Sequence, residues 1–248
     1  MRVLELFSGT GSVGKVCKNL DWDVVSVDLI LPADHQVDIM DFDYKQYDKD
    51  EFDIVWASPP CTNYSMLKKC WYGRKLKDGT IYTKEQNDKD QDEADKLVLK
   101  SFEIINYFNP HYWFLENPQT GNLKNREIMK DKPFYDVDYC MYSDWGYKKR
   151  TRIWTNKKDF NNLLCDNSGT CGNMVNKQHI KVLANGYEII DGKKVLCNTK
   201  EKRDKLRHKK LLDKVNQPKD LKYLGKGTNR IDRYRIPEKL IFSLFSDI

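Results

Sequence analysis

Four side chains in this 248-residue sequence could share one reaction. Cys61 follows Pro59 and Pro60 in "ASPPCTNYS", Ala57 to Ser65; Glu116 opens "ENP", Glu116 to Pro118; Arg150 and Arg152 alternate in "KKRTR", Lys148 to Arg152. Two consecutive prolines remove two backbone donors and fix two φ angles, so the thiol stands on a stiff, non-helical support. A thiolate is a nucleophile, a carboxyl can hydrogen-bond a ring nitrogen, and a guanidinium can meet an oxygen that gains charge. The three group types suit addition to an electron-poor ring followed by stabilisation of the adduct. Each alone has a blander reading, since free cysteine is among the most buried side chains and a glutamate before proline is often a surface turn.

The elements around these residues predict a doubly wound α/β sheet. "RVLELF", Arg2 to Phe7, is β-rich and ends in the glycine turn "SGTGS", Ser8 to Ser12. Val13, Val16, Cys17 and Leu20 then recur on one helix face, and "DVVSVD", Asp23 to Asp28, is a second strand closed by an acid. Strand, glycine turn, helix, strand and acid open a nucleotide-binding fold. "FDIVWAS", Phe52 to Ser58, is a strand that delivers the prolines. Residues from Ala94 to Phe108 form an apolar helical stripe, although Gln86 to Asp95 looks too charged for a core. "HYWFLENP", His111 to Pro118, and "YDVDYCMY", Tyr135 to Tyr142, read as further strands, the second leading through a Gly146 turn into "KKRTRIWTN", Lys148 to Asn156. Pro237 opens a last short helix. Glu116, Cys61 and the arginines thus fall at strand ends of one sheet, where such folds bind ligands.

Gly9, Gly11 and Gly14 do not have the G-x-G-x-x-G spacing, and no Walker lysine follows, so a phosphate cradle is disfavoured. With Asp28 able to accept from ribose hydroxyls, a nucleoside such as S-adenosyl-L-methionine is the better ligand. Cytosine C5 is a poor nucleophile until a thiolate adds at C6 and turns the ring into an enamine. Charge then builds at N3 and O2, where a carboxyl and an arginine would help.

The motifs resemble those of the DNA cytosine-5 methyltransferase family. "FSGTG", Phe7 to Gly11, is similar to its first motif, "PCTNYS" to its proline–cysteine motif and "ENP" to its glutamate motif; "KKRTR" resembles Gln-x-Arg-x-Arg with Lys148 replacing the glutamine. The resemblance spans roughly residues 1 to 156 and implies a Rossmann-like methyltransferase sheet that uses S-adenosyl-L-methionine. It implies Cys61 as nucleophile, Glu116 as the N3 partner, and Arg150 and Arg152 as the groups steadying the base. Phe7, Ser8, Gly9, Thr10, Gly11 and Pro60 would line the cofactor. Asp28 would hold its ribose, and Asp38 with Ile39 its adenine, with Asp41 as a competitor. Duplex DNA as partner requires base flipping.

Composition bounds the rest. The apolar fraction is 40%, the charged fraction 32% and the mean hydropathy −0.75, and no apolar run is long enough to span a bilayer. An intracellular, non-membrane, monomeric protein is the expectation, and seven cysteines without a secretory signal argue for reduced thiols. The expected domains are a catalytic one over residues 1–156 and 229–248 and a small, irregular target-recognition region over 157–228. The latter holds a possible hairpin, "YEIIDGKKVL", and a block from Lys200 to Lys226 with eleven basic against four acidic residues, suited to phosphates. Cys165, Cys171, His179 and Cys197 form a loose zinc-like set whose spacing matches no standard finger, so ordinary thiols are the simpler reading and no metal ligand is assigned. Cys140 and Cys70 have no evident partner. Rival functions are an amino-methyltransferase, for which "SPPC" lacks the aromatic residue, a tRNA cytosine-5 enzyme, and a catalytically silent nucleic-acid-binding module.

Overall fold

The computed structural model describes residues 1–175, 178–179, 187–190, 193–196, 234–246 and 248. The chain divides into two compact units. One comprises Met1–Val137, Arg150–Leu163 and Ile236–Ile248, and the other Asp138–Lys149 and Leu164–Arg235. Relative to the division expected from sequence, Asp138–Lys149 join the smaller unit.

The larger unit is built on a seven-stranded sheet: β1 (Arg2–Leu6), β2 (Asp23–Asp28), β3 (His35–Gln36), β4 (Ile54–Ala57), β5 (Tyr112–Pro118), β6 (Phe134–Asp138) and β7 (Arg150–Thr155). Their spatial order is β3-β2-β1-β4-β5-β7-β6. β1 to β5 run parallel, and β7 is antiparallel to β5. Helices cover both faces, as parallel strands require. On one face α1 (Ser12–Asn19) packs with the C-terminal helix α3 (Glu238–Phe245), whose Phe245 ring lies 5.4 Å from Trp22 and 6.2 Å from Trp56. On the other, α2 (Lys84–Phe108) lays Ala94, Val98, Ile104, Ile105 and Phe108 against Leu4, Leu6, Val55, Ala57, Leu115 and Trp154. This is the doubly wound α/β architecture expected.

Two elements depart from the sequence pattern. α2 begins at Lys84, ten residues before its apolar stripe, where the Thr83 hydroxyl accepts from Gln86 N at 3.2 Å. Its charged first half buries Asn87, Gln91 and Asp95. β6 stops at Asp138 instead of continuing to Tyr142, and a 3-10 turn, Tyr139–Met141, follows. The cause lies in the smaller unit, where Asn173 Nδ2 donates to the carbonyls of Cys140 and Ser143, so these groups are taken by a side chain rather than by a strand.

In the smaller unit β8 (Met174–Val175) pairs with β9 (Gln178–His179), and β10 (Tyr187–Ile190) with β11 (Lys193–Leu196) as the expected hairpin. The basic block and Cys197 lie outside the described residues. No helix among the described residues is long and apolar enough to cross a membrane.

Candidate active site

The strand order reverses between β1 and β4, and ligands of open α/β sheets bind in the crevice beyond the carboxyl ends of such a pair. The segments leaving these two strands are Phe7–Gly11 and Ser58–Cys61. Ser58 N donates to Leu6 O at 3.1 Å and joins them. Phe7, Gly9 and Gly11 have φ of 57°, 54° and 65°. Glycine reaches this region freely, whereas the phenylalanine is held there at a cost of about 1–3 kcal/mol. A Cβ on Gly11 would meet nothing within 4 Å, so the turn presents open space.

Asp28 organises this turn. Its Oδ2 accepts from Gly9 N at 2.9 Å and its Oδ1 from Ile30 N and Leu31 N at 2.8 and 2.7 Å. A carboxylate has about four acceptor positions, so room remains for one hydroxyl donor. Ser8 is buried and Thr10 Oγ1 lies 3.2 Å from Ser12 Oγ, which also accepts from Ile236 N at 3.1 Å and so fastens the C-terminal segment to the turn. Asp38 caps its own loop through Met40 N at 2.9 Å, and its carbonyl accepts from Asp41 N; Ile39 is buried in the core. Sequence reasoning passed over Leu29 and Ile30, which are 58% and 77% exposed immediately after Asp28. Three bulky apolar residues, Leu29 to Leu31, between a strand-end acid and Pro32 were the available signal.

Cys61 is half-buried, and the chain on both sides of it is fastened. Before it, Asn117 Nδ2 donates to Pro59 O at 2.9 Å. After it, Tyr64 N donates to Cys61 O at 3.2 Å, and the buried Tyr64 hydroxyl donates to Asp95 of α2 at 2.8 Å. Arg126 Nε holds the other Asp95 oxygen at 2.8 Å. Asn63 Nδ2 donates to Asp90 O, while Lys68 and Tyr82 both donate to Asp90 Oδ2. The polar first half of α2 is therefore the anchor of the loop that follows the thiol. Within that loop Leu67 and Trp71 are 72% and 47% exposed among Lys68, Lys69 and Arg74.

Glu116 is 7% exposed near the end of β5, directly before the asparagine that grips Pro59. Because Ala57 pairs with Leu115, the continuation of β4 runs beside Glu116 and Asn117. The structure thus brings the glycine turn, the Cys61 loop and Glu116 to one edge of the sheet. The arginines are placed less uniformly. Glu116 pairs with Ile153 and Asn117 with Arg152, and directly paired residues share a sheet face, so Glu116 and Arg152 point to opposite faces. Arg152 makes a two-pronged ion pair with Asp136, at 2.7 and 2.9 Å, and lies 3.5 Å over the Phe134 ring. Arg150 is the first residue of β7, at the rim of the sheet.

Burial separates the ionisable groups by role. Glu5, under α1, accepts from Val13 N and Gly14 N at 3.2 and 2.9 Å, yet desolvation dominates and pushes its carboxyl up to about 7. Cys17 is fully buried, and burial with the nearby Glu5 charge pushes its thiol up to about 12, which makes it an inert core residue.

Comparison with known proteins adds to this geometry. A family model described as C-5 cytosine-specific DNA methylase matches residues 29–131, which include Cys61 and Glu116. A protein of Frog virus 3 (isolate Goorha), described as a probable DNA (cytosine-5)-methyltransferase, is 43% identical over 176 residues, 70% of this chain and 79% of that one. The solved structure of the Entamoeba histolytica methyltransferase EhMeth aligns with TM-score 0.54 at 13% identity over 99% of this chain and 97% of that one, a likeness of fold. With that degree of identity over most of a relative's length, and with the motif residues at one sheet edge, the chain belongs to the C-5 cytosine-specific DNA methylase family.

Proposed function

We propose that this enzyme transfers the methyl group of S-adenosyl-L-methionine to C5 of a cytosine flipped out of duplex DNA, through a transient Cys61–C6 bond. The observation that carries the reading is the Asn117–Pro59 hydrogen bond, which ties the support of the thiol to the residue following Glu116. A nucleophile and an acid on separate strands need such a tie to act on one ring.

The cofactor, when bound, supplies an electrophilic methyl group. The open glycine turn, the Asp28 carboxylate and the exposed Leu29 and Ile30 fit a nucleoside: small residues for close approach, an acceptor for a ribose hydroxyl and an apolar surface for a purine. Asp38, which caps the following loop, and Ile39, buried in the core, would back the adenine from within. Cys61 adds as thiolate to C6, and the Glu116 carboxyl hydrogen-bonds N3 as the ring takes up the electron pair. Arg150 shares the face of Arg152 but is the first residue of β7, so its long side chain is the one that turns round the strand end to meet O2. Arg152, engaged by Asp136, acts as a positioning residue for β7. After methylation the C5 proton leaves to solvent, the S–C6 bond breaks, and the thiolate and the aromatic ring are restored.

The loop after Cys61, with Leu67 and Trp71 exposed among cations, suits a duplex that must be opened. The basic block from Lys200 to Lys226 supplies charge for phosphates. The test is methyl transfer from tritiated cofactor to duplex DNA and, in parallel, to tRNA, with the modified base identified after hydrolysis. Labelled 5-methylcytosine from DNA is the expected product. Label in N6-methyladenine or N4-methylcytosine, or in tRNA alone, would overturn the proposal.

A further inference from the structure

The smaller unit gathers three sulfurs and one imidazole from three separate segments. Cys140 lies in the 3-10 turn after β6, Cys165 and Cys171 lie on the loop before β8, and His179 ends β9. Their ligand atoms all fall within 4.8 Å of one another. The Sγ atoms of Cys165 and Cys171 are 3.7 and 3.6 Å from His179 Nε2. A tetrahedral zinc centre, with Zn–S of about 2.3 Å and Zn–N of about 2.0–2.1 Å, has S···N edges of about 3.6 Å. The two observed separations are such edges. Thiols are weak hydrogen-bond donors and acceptors, so convergence of three of them on one imidazole is poorly explained by their mutual bonding.

We propose that Cys140, Cys165, Cys171 and His179 bind one zinc ion in a closed, structural Cys3His site. Soft sulfur ligands with one imidazole in tetrahedral array select zinc among the common divalent ions. The surroundings are built for the purpose. The buried Asn173 amide donates to Cys140 O at 2.8 Å and Cys171 O at 2.9 Å and accepts from Gly146 N at 2.8 Å, which fixes two ligand-bearing segments together. Cys165 N donates to the buried Asp138 at 2.8 Å, and Lys148 Nζ donates to Cys165 O at 2.7 Å. Three thiolates and a neutral imidazole around Zn2+ carry one net negative charge, and Lys148 is the adjacent cation. Lys148 stands where the family motif quoted above has glutamine, so this departure serves the loop that carries Cys165. Whatever reaction the larger unit carries out, a zinc ion here would hold together described segments made of short strands and loops.

Cys140 completes the set for which sequence reasoning offered Cys197. It was missed because it precedes Cys165 by a strand and a loop, so no spacing rule joins them.

The test is metal analysis of the full chain, purified under reducing conditions, by plasma mass spectrometry. About one zinc per chain is expected. The ion should be lost in a Cys140→Ala, Cys171→Ala double variant, and retained in His179→Cys, which preserves four soft ligands, and in Cys70→Ser, outside the cluster. Cobalt reconstitution should give the d–d absorption of a tetrahedral site with thiolate charge transfer, in wild type and His179→Cys alike. The His179→Cys spectrum keeps the test decisive if the double variant does not fold. Less than about a tenth of a zinc per chain after reconstitution, an octahedral cobalt spectrum, unchanged zinc in the double variant, or a Cys140–Cys165 or Cys140–Cys171 disulfide in freshly extracted protein would overturn the proposal.

Discussion

A thiol fixed by two prolines needs its support fixed as well, and Asn117 does this across 58 residues of sequence through one hydrogen bond to Pro59 O. Asn117→Ala should lower turnover about 10- to 100-fold, the scale of loss for small misplacement of a reacting group, while leaving cofactor affinity within about twofold. Steady-state kinetics with separate cofactor titration checks this, and unchanged turnover would contradict the assigned role. At this scale the placement of residues was legible where it is spelled locally: Cys61 just past the end of β4, Glu116 near the end of β5 and Asp28 at the end of β2. Partnerships between distant residues were not. Nothing in the sequence joins Asn117 to Pro59, Cys140 to Cys165, or Arg152 to Asp136, because register and face decide those contacts, and register emerges only when the sheet assembles.

Helix α1 illustrates how an element carries an electrostatic cost beneath a binding turn. Its first N–H groups point at Glu5, whose carboxyl is held near 7 against an ordinary value of 4.5 because burial outweighs those hydrogen bonds. The folded state therefore favours the neutral acid. This contribution is fully present below pH 4.5 and is lost as pH rises through about 7, a change of about 3 kcal/mol. Urea unfolding of wild type and Glu5→Gln across that range should show the wild type losing stability relative to the variant, and a pH-independent difference would contradict the cause given. The loop after Cys61 makes a second element-scale prediction. Leu67→Ala with Trp71→Ala should reduce the fluorescence rise of a 2-aminopurine at the target position at least about threefold, without changing cofactor binding; an unchanged rise would remove the loop from base opening. Strands β1, β2, β4, β5 and β7 and the apolar half of α2 were legible from periodicity. The charged half of α2 was not, since Asn87, Gln91 and Asp95 are buried by hydrogen bonds to a loop and to Arg126, a form of burial hydrophobic pattern does not record.

At the scale of the molecule, the chain combines a doubly wound unit that carries Cys61 and Glu116 with a smaller one whose segments come from both sides of β7. Sequence composition showed where regular alternation ends, but not that the chain leaves the sheet after Asp138, because that exchange depends on Asn173 taking the carbonyls after β6. The central claim concerns the whole assembly at work: a duplex opened, a cytosine delivered to the crevice and a sulfur bonded to it. It is tested most directly by incubating the full chain and S-adenosyl-L-methionine with duplex DNA containing 5-fluorocytosine, which blocks release because fluorine cannot leave C5 as a proton does. Mass spectrometry of the digested complex should find the nucleotide attached to the peptide carrying Cys61, with no adduct in Cys61→Ser. Attachment to any other residue, or labelled 5-methylcytosine still formed on ordinary duplex by Cys61→Ala, would contradict the account.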